Sequence, residues 1–259
     1  MTDGAQLTGV ILAGGLGTRL RSVVSGQPKV LAEVAGRPFL GYLLDQLAGW
    51  GFSQVVLCTG YLGEQIEEEF GDRYGGLRIQ YSREVTPLGT GGALRLAAGL
   101  IESSTVLVLN GDSYCDADLG GVHQAHQGRC AKATLLLTRV ADASRFGRVQ
   151  VDAMGRILNF DEKTSDSGPG LVNAGLYLIE TSLLRDIPTE GPVSLERDVF
   201  PTWIAGQFYG YETSSAFLDI GTPESYAAAE AFLSDVSRRQ TYLARRSEAS
   251  GYPSSGPER

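Results

Sequence analysis

The feature that most constrains the fold is a short apolar run that leads directly into a glycine-rich turn. Residues 9–12 read Gly-Val-Ile-Leu, which is typical of a buried strand, and residues 14–19 read Gly-Gly-Leu-Gly-Thr-Arg. A strand that ends in such a turn exposes successive backbone N–H groups, and these can bind the oxygens of a polyphosphate. Arg19 and the later Lys29 supply positive charge for the same anion. The start of the chain therefore predicts a nucleotide site.

Two better-known phosphate-binding loops are excluded by the spacing within this turn. A Walker A loop requires Gly-Lys followed by Ser or Thr, whereas Gly17 is followed by Thr18 and Arg19. A dinucleotide-binding turn that starts at Gly15 requires a third glycine at the position of Leu20. For the glycines taken alone, a plain tight turn remains an alternative, and the two basic residues favour phosphate binding.

Apolar strand-like runs alternate with helical patterns through the first half of the chain. Residues 38–50 carry apolar side chains at helical spacing after a proline, and residues 62–70 and 92–100 continue the alternation. This order predicts an α/β fold with a doubly wound, mostly parallel, Rossmann-like sheet, whose ligands bind at the carboxyl ends of the strands. The glycine-rich turn, residues 87–92 and Asp112 all follow strands, so we expect them to converge. The predicted strands are residues 9–12, 54–59, 77–82, 105–109 and 131–139.

The second half of the chain changes character. Its apolar runs are shorter, and a turn ending in glycine at residues 152–155 predicts a hairpin. Helices are expected at residues 195–205 and 223–233, the second opened by a proline. These patterns predict a small β-rich lid joined to the first half. The predicted strands of the lid are residues 147–151, 156–160 and 171–179.

Seven motifs occur in the order found in sugar-1-phosphate nucleotidyltransferases, and over about residues 8–233 the chain resembles that family. It looks most like the branch that acts on D-glycero-D-manno-heptose 1-phosphate or mannose 1-phosphate and uses GTP. The resemblance implies the nucleotide-diphospho-sugar transferase type of fold, and transfer of a nucleotidyl group to a sugar 1-phosphate with release of pyrophosphate. Uridylyl, cytidylyl or adenylyl transfer to another sugar 1-phosphate, and a non-catalytic nucleotide-binding relative, remain alternatives. The motifs are residues 14–20, 28–29, 87–93, 110–112, 162–163, 173–175 and 219–223.

The resemblance also implies roles for individual residues. Arg19 would neutralise the β- and γ-phosphates, Lys29 the α-phosphate, and Asp112 and Asp219 would hold Mg²⁺; Arg19, Lys29 and Asp112 are the expected catalytic residues. The residues expected to contact the nucleotide are Leu12, Ala13, Gly14, Gly15, Gly17, Thr18, Glu84, Gly89 and Thr90. Those expected to contact the sugar and its phosphate are Asn110, Glu162, Lys163 and Asn173.

Several of these residues have a simpler structural interpretation. Asp112 could cap the turn that follows its strand, and Asp219 could cap the helix that follows it. Glu162 and Lys163 could form a solvated charge pair. Glu84 could be a surface glutamate; alternatively its carboxylate accepts hydrogen bonds from the two adjacent donors of guanine, and GTP is then favoured over other nucleotides.

The charge balance limits the partners of the chain. The net charge of −8 argues against nucleic acid, so phosphate binding requires a local concentration of positive charge. The sequence contains 19 arginines but only three lysines, and two of those lysines, Lys29 and Lys163, occupy motif positions. Because an ammonium is a compact point charge, we expect both to face phosphates in confined spaces. The expected partners are a nucleoside triphosphate, a sugar 1-phosphate and, as a further option, a second copy of the chain.

Other sequence signals predict a cytoplasmic protein without a membrane partner. No run is long enough to span a bilayer, and the N-terminus lacks a signal-peptide pattern. Cys58, Cys115 and Cys130 are odd in number and show no paired spacing, so reduced thiols are expected. His123 and His126 have no further ligands nearby in the sequence for a zinc site.

The sequence predicts one catalytic domain followed by a tail. The domain is expected at residues 1–235, with a nucleotide-binding half at about 8–140 and a sugar-binding half, including the lid, at about 141–235. Residues 236–259 are rich in arginine, serine, glycine and proline and are expected to be disordered, because they carry little apolar surface.

Overall fold

The computed structural model describes residues 7–15, 17, 19–20, 23–162 and 168–238, with backbone only at residues 161 and 162. Within this part of the chain, fourteen strands, ten of them in one sheet, pack with helices on both faces. The strands are β1 (Thr8–Leu12), β2 (Glu33–Val34), β3 (Arg37–Pro38), β4 (Gln54–Thr59), β5 (Arg73–Tyr74), β6 (Leu77–Arg83), β7 (Thr105–Asn110), β8 (Ser113–Cys115), β9 (Ala133–Val140), β10 (Gly147–Val151), β11 (Ile157–Glu162), β12 (Gly170–Glu180), β13 (Phe208–Thr213) and β14 (Phe217–Asp219).

The helices of the described residues alternate with the first strands, as the sequence predicts. They are α1 (Phe39–Gly49), α2 (Gly63–Phe70), α3 (Gly89–Ala97), α4 (Leu119–Gly128), α5 (Phe200–Trp203) and α6 (Pro223–Ala227), with a further helical stretch at residues 229–238. The helix predicted at 92–100 begins three residues earlier and finishes in a 3₁₀ turn, Ala98–Leu100. The helix predicted at 195–205 is a π-helical turn, Leu195–Val199, followed by α5.

The centre of the main sheet is parallel, in the order β7-β1-β4-β6. These strands are continuous apolar runs because both of their faces are covered, α1 packing on one side and α3 on the other. β4 and β6, which follow β1 along the chain, lie on one side of β1 in the sheet. β7, which comes later, lies on the other side of β1. The strand order therefore reverses next to β1, and a crevice opens at the carboxyl ends of β1 and β7.

A glycine is required directly after β7, because the backbone there passes close to the end of β1. Leu12 pairs with Asn110 in the last register position of the two strands, and the N–H of Gly111 donates to the carbonyl oxygen of Leu12 at 3.0 Å. A Cβ atom at Gly111 would lie 2.6 Å from that carbonyl oxygen. The glycine thus brings the residue after it, Asp112, directly beside the end of β1.

The second half, predicted as a β-rich lid joined to the first half, continues the same sheet. β12 pairs antiparallel with β7 and with β9, and β10 and β11 extend the sheet beyond β12. The predicted hairpin turn is present: the N–H of Gly155 donates to the carbonyl oxygen of Asp152 at 2.9 Å, with a φ of +80° at the glycine. The second half joins the main sheet through β12, whose residues 176–180 pair with β7, while β9 pairs with residues 170–173 and 177–179.

The C-terminal helical region extends further than predicted. α6 opens with a capping box between Thr222 and Ser225, and residues 229–238 continue as helix past the expected end at 233. Val236 is buried against the core, which explains the extension. Residues 239–259 of the predicted tail lie outside the described residues. Among the helices described, none combines the length and apolarity needed to cross a membrane.

Candidate active site

A cavity of about 430 Å³ lies at the carboxyl ends of β1, β4, β6 and β7. The end of β1, the glycine-rich turn and the N-terminal turn of α3 form its walls, so glycines and small or apolar residues make up most of the lining. Every described residue that was expected to contact the nucleotide lines this cavity. These residues are Leu12, Ala13, Gly14, Gly15, Gly17, Glu84, Gly89 and Thr90.

An ion pair between Lys29 and Asp112 closes one end of the cavity. The Lys29 Nζ lies 2.6 Å from the Asp112 Oδ2, and the lysine side chain is only 12% exposed. Ser113 donates its hydroxyl to the other oxygen of Asp112. Burial by itself raises the pKa of Asp112, but the charge and the hydrogen bond of Lys29 outweigh it and hold the pKa below its ordinary value. Asp112 is therefore ionised and paired, and does more than cap a turn.

The short two-stranded ladder of β8 and β14 places Asp219 next to Asp112. Asp219 pairs with Ser113 in this ladder, and the N–H of Ile220 donates to the carbonyl oxygen of Asp112 at 2.9 Å. Burial, and then the neighbouring carboxylate of Asp112, raise the pKa of Asp219. Asp219 accepts a hydrogen bond from the N–H of Gly221, whereas the cap of α6 is Thr222. The alternative interpretation of Asp219 as a helix cap is thus wrong.

A second, smaller cavity of about 190 Å³ adjoins the first. Both are lined by Asn110 and Asp112, so one ligand can extend from one cavity into the other. The second cavity is also lined by the following residues: Arg19, Ser113, Arg145, Phe146, Gly147, Phe160, Asn173, Glu196, Phe217 and Asp219. The phenylalanines provide an apolar wall, with the rings of Phe146 and Phe217 5.7 Å apart in an edge-on arrangement.

A buried tyrosine ties the two asparagines of this cavity together. The Nδ2 of Asn173 donates to the hydroxyl oxygen of Tyr177 at 2.8 Å, and that hydroxyl donates to the Oδ1 of Asn110 at 3.3 Å. The Oδ1 of Asn173 accepts from the N–H of Gly175. Burial, followed by the nearby Glu196 carboxylate, raises the pKa of Tyr177 well above its ordinary value, so the tyrosine stays a neutral donor. The two asparagine side chains are consequently held in fixed orientations.

The N-terminal turn of α3 is fixed by contacts with residues from the second half. Thr90 donates its hydroxyl to Glu196 at 3.1 Å and accepts the N–H of Leu195 at 2.8 Å. Gly89 has a φ of +73°, and a Cβ atom there would lie 2.4 Å from the carbonyl oxygen of Val193. The hydroxyl of Thr90 therefore bonds to the second half of the protein, and the N–H of Gly91 donates to the carbonyl oxygen of Val193 at 2.8 Å.

Glu84 is a partly buried residue of the cavity wall rather than a surface glutamate. Its Oε2 accepts the N–H of Leu88 at 3.0 Å, which fixes the turn before α3. Burial raises the pKa of Glu84, and the hydrogen bond from Leu88 opposes the rise. One carboxylate oxygen is thus shared with the protein, and the carboxylate still borders the space for a ligand.

Comparison with known proteins identifies the family. The family model described as Nucleotidyl transferase matches residues 8–236. The chain belongs to the nucleotidyl transferase family. Proteins of this family generally use a divalent metal.

Among the nucleotidyl transferases, the chain is similar to proteins named as guanylyltransferases for sugar 1-phosphates. The chain is 41% identical over 232 residues to a mannose-1-phosphate guanylyltransferase of Mycobacterium tuberculosis, which covers 88% of this chain and 65% of the relative. It is 38% identical over 222 residues to a D-glycero-alpha-D-manno-heptose 1-phosphate guanylyltransferase of Aneurinibacillus thermoaerophilus, covering 85% and 96% of the two chains. A crystal structure of HddC from Yersinia pseudotuberculosis complexed with GMP-PN superposes with a TM-score of 0.78 at 33% identity, over 87% of this chain and 98% of that one.

The carboxylates of this nucleotidyl transferase fit a hard divalent cation. Asp112 and Asp219 are close enough for one charge to raise the pKa of the other, and a cation between them would relieve that repulsion. Within the described residues, no group of three or more histidine, cysteine or acidic side chains could hold a metal. A pair of carboxylates is what Mg²⁺ commonly takes from a protein when substrate phosphates and water complete its shell.

Three predicted site residues cannot be placed. Thr18 and Lys163 lie outside the described residues, and Glu162 is described by its backbone alone, as the end of β11. Arg19 is exposed and lines the second cavity, although it was expected at the triphosphate. Because the two cavities share a wall, this position is adjacent to the one expected.

Sequence reasoning missed Arg145, Tyr177 and Glu196. Arg145 had a detectable signal: it follows β9, which runs in the direction of β7, so its loop lies at the functional edge of the sheet. Tyr177 occurs inside an apolar strand and Glu196 inside a charged helical turn, where neither stands out. His126, for which the sequence predicts no zinc site, is buried and pairs with the hydroxyl of Thr134 at 2.9 Å.

Proposed function

We propose that the protein transfers a guanylyl group from GTP to a mannose- or heptose-type sugar 1-phosphate, forming a GDP-sugar and releasing pyrophosphate. Two relatives named above are guanylyltransferases for such sugar phosphates, and a related structure holds GMP-PN. The chain spans 65% of the length of the Mycobacterium tuberculosis relative and 96% of the Aneurinibacillus relative.

The observation that carries this proposal is the pair of adjoining cavities with Asn110 and Asp112 in their common wall. The first cavity has a lining rich in glycines and small apolar residues, suited to a nucleotide. The second combines fixed amides, an apolar aromatic wall and a guanidinium, which suits a phosphorylated sugar. The reacting phosphates would meet at the wall that the two cavities share, next to the carboxylates.

The reaction requires alignment and neutralisation of charge more than a protein base. An oxygen of the sugar 1-phosphate attacks the α-phosphorus of GTP, the bond from that phosphorus to the bridging oxygen breaks, and pyrophosphate leaves. Because the attacking phosphate is already ionised, no side chain has to remove a proton. The contribution of the protein is to hold both phosphates in line and to place positive charge where negative charge develops.

The residues at the common wall would divide this work. Lys29, held by Asp112, would contact the α-phosphate, and Arg19 would neutralise the phosphates of the leaving pyrophosphate. Lys163 would bind the phosphate of the sugar. Asn173, fixed by Tyr177, would orient a sugar hydroxyl.

Asp112 and Asp219 would hold Mg²⁺, which neutralises phosphate charge when it is bound. The β8–β14 ladder fixes Asp219, and the side chain of Lys29 fixes Asp112. These contacts support the two carboxylates as ligands of one cation.

Glu84 would select the base. Guanine presents the ring N–H and the exocyclic amine side by side, and a carboxylate can accept from both, one oxygen sharing its second lone pair with the N–H of Leu88. Uracil would direct carbonyl oxygens at the carboxylate. A mispaired polar edge of this kind costs about 1–3 kcal/mol, or roughly tenfold to hundredfold in specificity.

The experiment that tests the proposal is a measurement of pyrophosphate release over a panel of nucleoside triphosphates and sugar 1-phosphates in the presence of Mg²⁺. GTP with mannose 1-phosphate or a D-glycero-D-manno-heptose 1-phosphate should give the highest kcat/KM. A clear preference for UTP or CTP, or for glucose 1-phosphate, would overturn the assignment of the substrates while leaving the reaction type in place.

A further inference from the structure

Arg145 lies in the loop between β9 and β10, in a position that no sequence motif assigned. The backbone of the loop is fixed, because Ala143 is fully buried and the N–H of Phe146 donates to its carbonyl oxygen at 3.0 Å. The side chain reaches into the second cavity, where its Nη2 lies 3.4 Å from the Oδ1 of Asp219. Arg145 thus combines a fixed backbone with a long and partly exposed cationic side chain.

The two carboxylates at the site are neutralised in different ways. Lys29 contacts Asp112 at 2.6 Å and is 12% exposed, whereas Arg145 contacts Asp219 at 3.4 Å and is 42% exposed. Exposed ion pairs at long distance contribute little free energy. When another cation binds these carboxylates, Arg145 is therefore the group that it displaces.

We propose that Arg145 exchanges partners, neutralising Asp219 in the substrate-free protein and binding the phosphate of the sugar 1-phosphate once a divalent cation occupies the carboxylates. This inference rests on the proposed function and adds a residue to its sugar-phosphate site. A guanidinium suits both partners, because its planar fork matches the paired oxygens of a carboxylate and of a phosphate.

The charge balance of the cavity supports the exchange. In the substrate-free protein, Lys29 and Arg145 balance Asp112 and Asp219, and Arg19 and Glu196, which also line the second cavity, add one charge of each sign. A divalent cation brings two positive charges into this neutral set, and a sugar phosphate, close to a dianion at neutral pH, restores the balance. Arg145 faces further acidic groups, Asp142 and Glu224, but neither lines the second cavity, so the phosphate becomes its strongest partner inside the cavity.

The exchange predicts effects of opposite sign when the positive charge of Arg145 is removed. Without the guanidinium, a divalent cation competes at Asp219 only with the charge of Lys29, so its affinity for the substrate-free protein rises. The sugar 1-phosphate loses a charged partner, so its KM rises. A residue that only maintains the shape of the loop would weaken both interactions or neither.

The test compares the wild-type protein with Arg145→Gln and Arg145→Lys. Mn²⁺ binding to the substrate-free proteins is measured by titration with electron paramagnetic resonance, and KM is measured for mannose 1-phosphate and GTP. Arg145→Gln should bind Mn²⁺ about threefold more tightly, and its KM for mannose 1-phosphate should rise about tenfold. Its KM for GTP should change by less than about twofold, and Arg145→Lys should lie near the wild type in Mn²⁺ affinity.

Arg139→Gln is the matched control, because Arg139 forms a comparable exposed ion pair with Glu212 at 3.0 Å outside both cavities. It should leave Mn²⁺ affinity and both KM values unchanged. Unchanged or weaker Mn²⁺ binding in Arg145→Gln would overturn the exchange, as would equal rises in both KM values. The Mn²⁺ titration uses no substrate, so a wrong substrate assignment appears separately, as absence of turnover in the wild type.

Discussion

The two regions that meet at Asp112 build their surfaces in different ways. The first cavity follows parallel strands and is lined largely by glycines and small apolar residues, so its shape follows the path of the backbone from the end of β1 to the first turn of α3. The second cavity is lined by side chains from antiparallel strands and their loops, and its amides are fixed by Tyr177. The shape of the first cavity thus depends on close approaches of the backbone. The shape of the second cavity depends on which side chains lie together.

This difference predicts which kind of substitution disrupts each region. A lining of backbone groups is disturbed by an added Cβ atom or by loss of the glycine conformation. A lining of side chains is disturbed by removal of one charge or one hydrogen bond. Substitutions in the two regions should therefore separate into defects of folding and nucleotide binding on one side, and defects of sugar-phosphate use on the other.

The largest effect is expected at the wall common to both regions. Asp112→Asn keeps the shape of the side chain but removes its charge, so Lys29 and a divalent cation lose their partner. Turnover should fall by roughly a hundredfold or more, as for loss of a contact worth about 3 kcal/mol in the transition state. Asp152→Asn is the control, since an asparagine oxygen can still accept the N–H groups of the hairpin turn. Near-normal turnover in a folded Asp112→Asn protein would remove Asp112 from the site.

Lys163→Ala tests the sugar-phosphate region alone. If Lys163 binds the phosphate of the sugar, KM for the sugar 1-phosphate should rise about tenfold or more, while KM for GTP stays within about twofold. Lys132→Ala, which removes an exposed lysine just before β9, should change neither value. Steady-state kinetics with each substrate varied in turn provides both numbers. Equal rises for the two substrates would contradict the separation of the regions.

Gly89→Ala tests the backbone-lined region. The substitution forces a side chain into a left-handed conformation and directs its Cβ atom at the carbonyl oxygen of Val193. The free energy of unfolding, measured with urea, should fall by about 1–3 kcal/mol. Gly99→Ala, at a position where a Cβ atom meets nothing within 4 Å, should stay within about 0.5 kcal/mol of the wild type. A fully stable Gly89→Ala protein would show that the α3 turn tolerates displacement.

Glu84→Gln tests base selection with a smaller expected effect. Glutamine can still accept the N–H of Leu88, so the turn before α3 is retained. Its amide N–H groups would face the donors of guanine, and kcat/KM for GTP should fall about tenfold relative to ATP or UTP. Parallel assays with the three nucleotides measure the ratio. An unchanged ratio would restrict Glu84 to holding the turn.

The smallest effect is expected at the C-terminus. We propose that the catalytic unit ends with the helix at residues 229–238, so truncation after Ser237 should leave turnover and the melting temperature unchanged. Truncation after Asp235 is the contrasting variant, because it also removes the buried Val236 and should lower stability by about 1.5 kcal/mol or more. A loss of activity or stability after the truncation at Ser237 would mean that residues 238–259 contact the rest of the protein.

Much of the first region could be predicted from the sequence because local signals specify it. The helix predicted at 38–50 is found at Phe39–Gly49, and the strand predicted at 54–59 is found at the same residues. Glycine spacing and the rule that ligands bind at carboxyl ends were sufficient to predict that the residues expected to contact the nucleotide converge, and those that the structure describes line one cavity. No side-chain conformation had to be known for that.

The second region could be predicted only in part because it depends on distant pairings. The ladder that places Asp219 beside Asp112 joins strands of three residues, too short for a periodic pattern. β13 was missed as well, since its tyrosines and glycine give no clear alternation. The hydrogen bonds of Tyr177 and the reach of Arg145 follow from the packing of β9, β12 and β7, which no local pattern specifies.

The most direct test of the central claim, that the adjoining cavities form one site for guanylyl transfer, follows the α-phosphate of GTP. The wild-type protein is incubated with GTP labelled with ³²P at the α-position, Mg²⁺ and, in parallel samples, mannose 1-phosphate or a D-glycero-D-manno-heptose 1-phosphate, and the products are separated by chromatography. With at least one of the two sugars the label should appear in the GDP-sugar, with unlabelled pyrophosphate released in equal amount. Label in free GMP, or no conversion with either the mannose or the heptose sugar phosphate, would contradict the account.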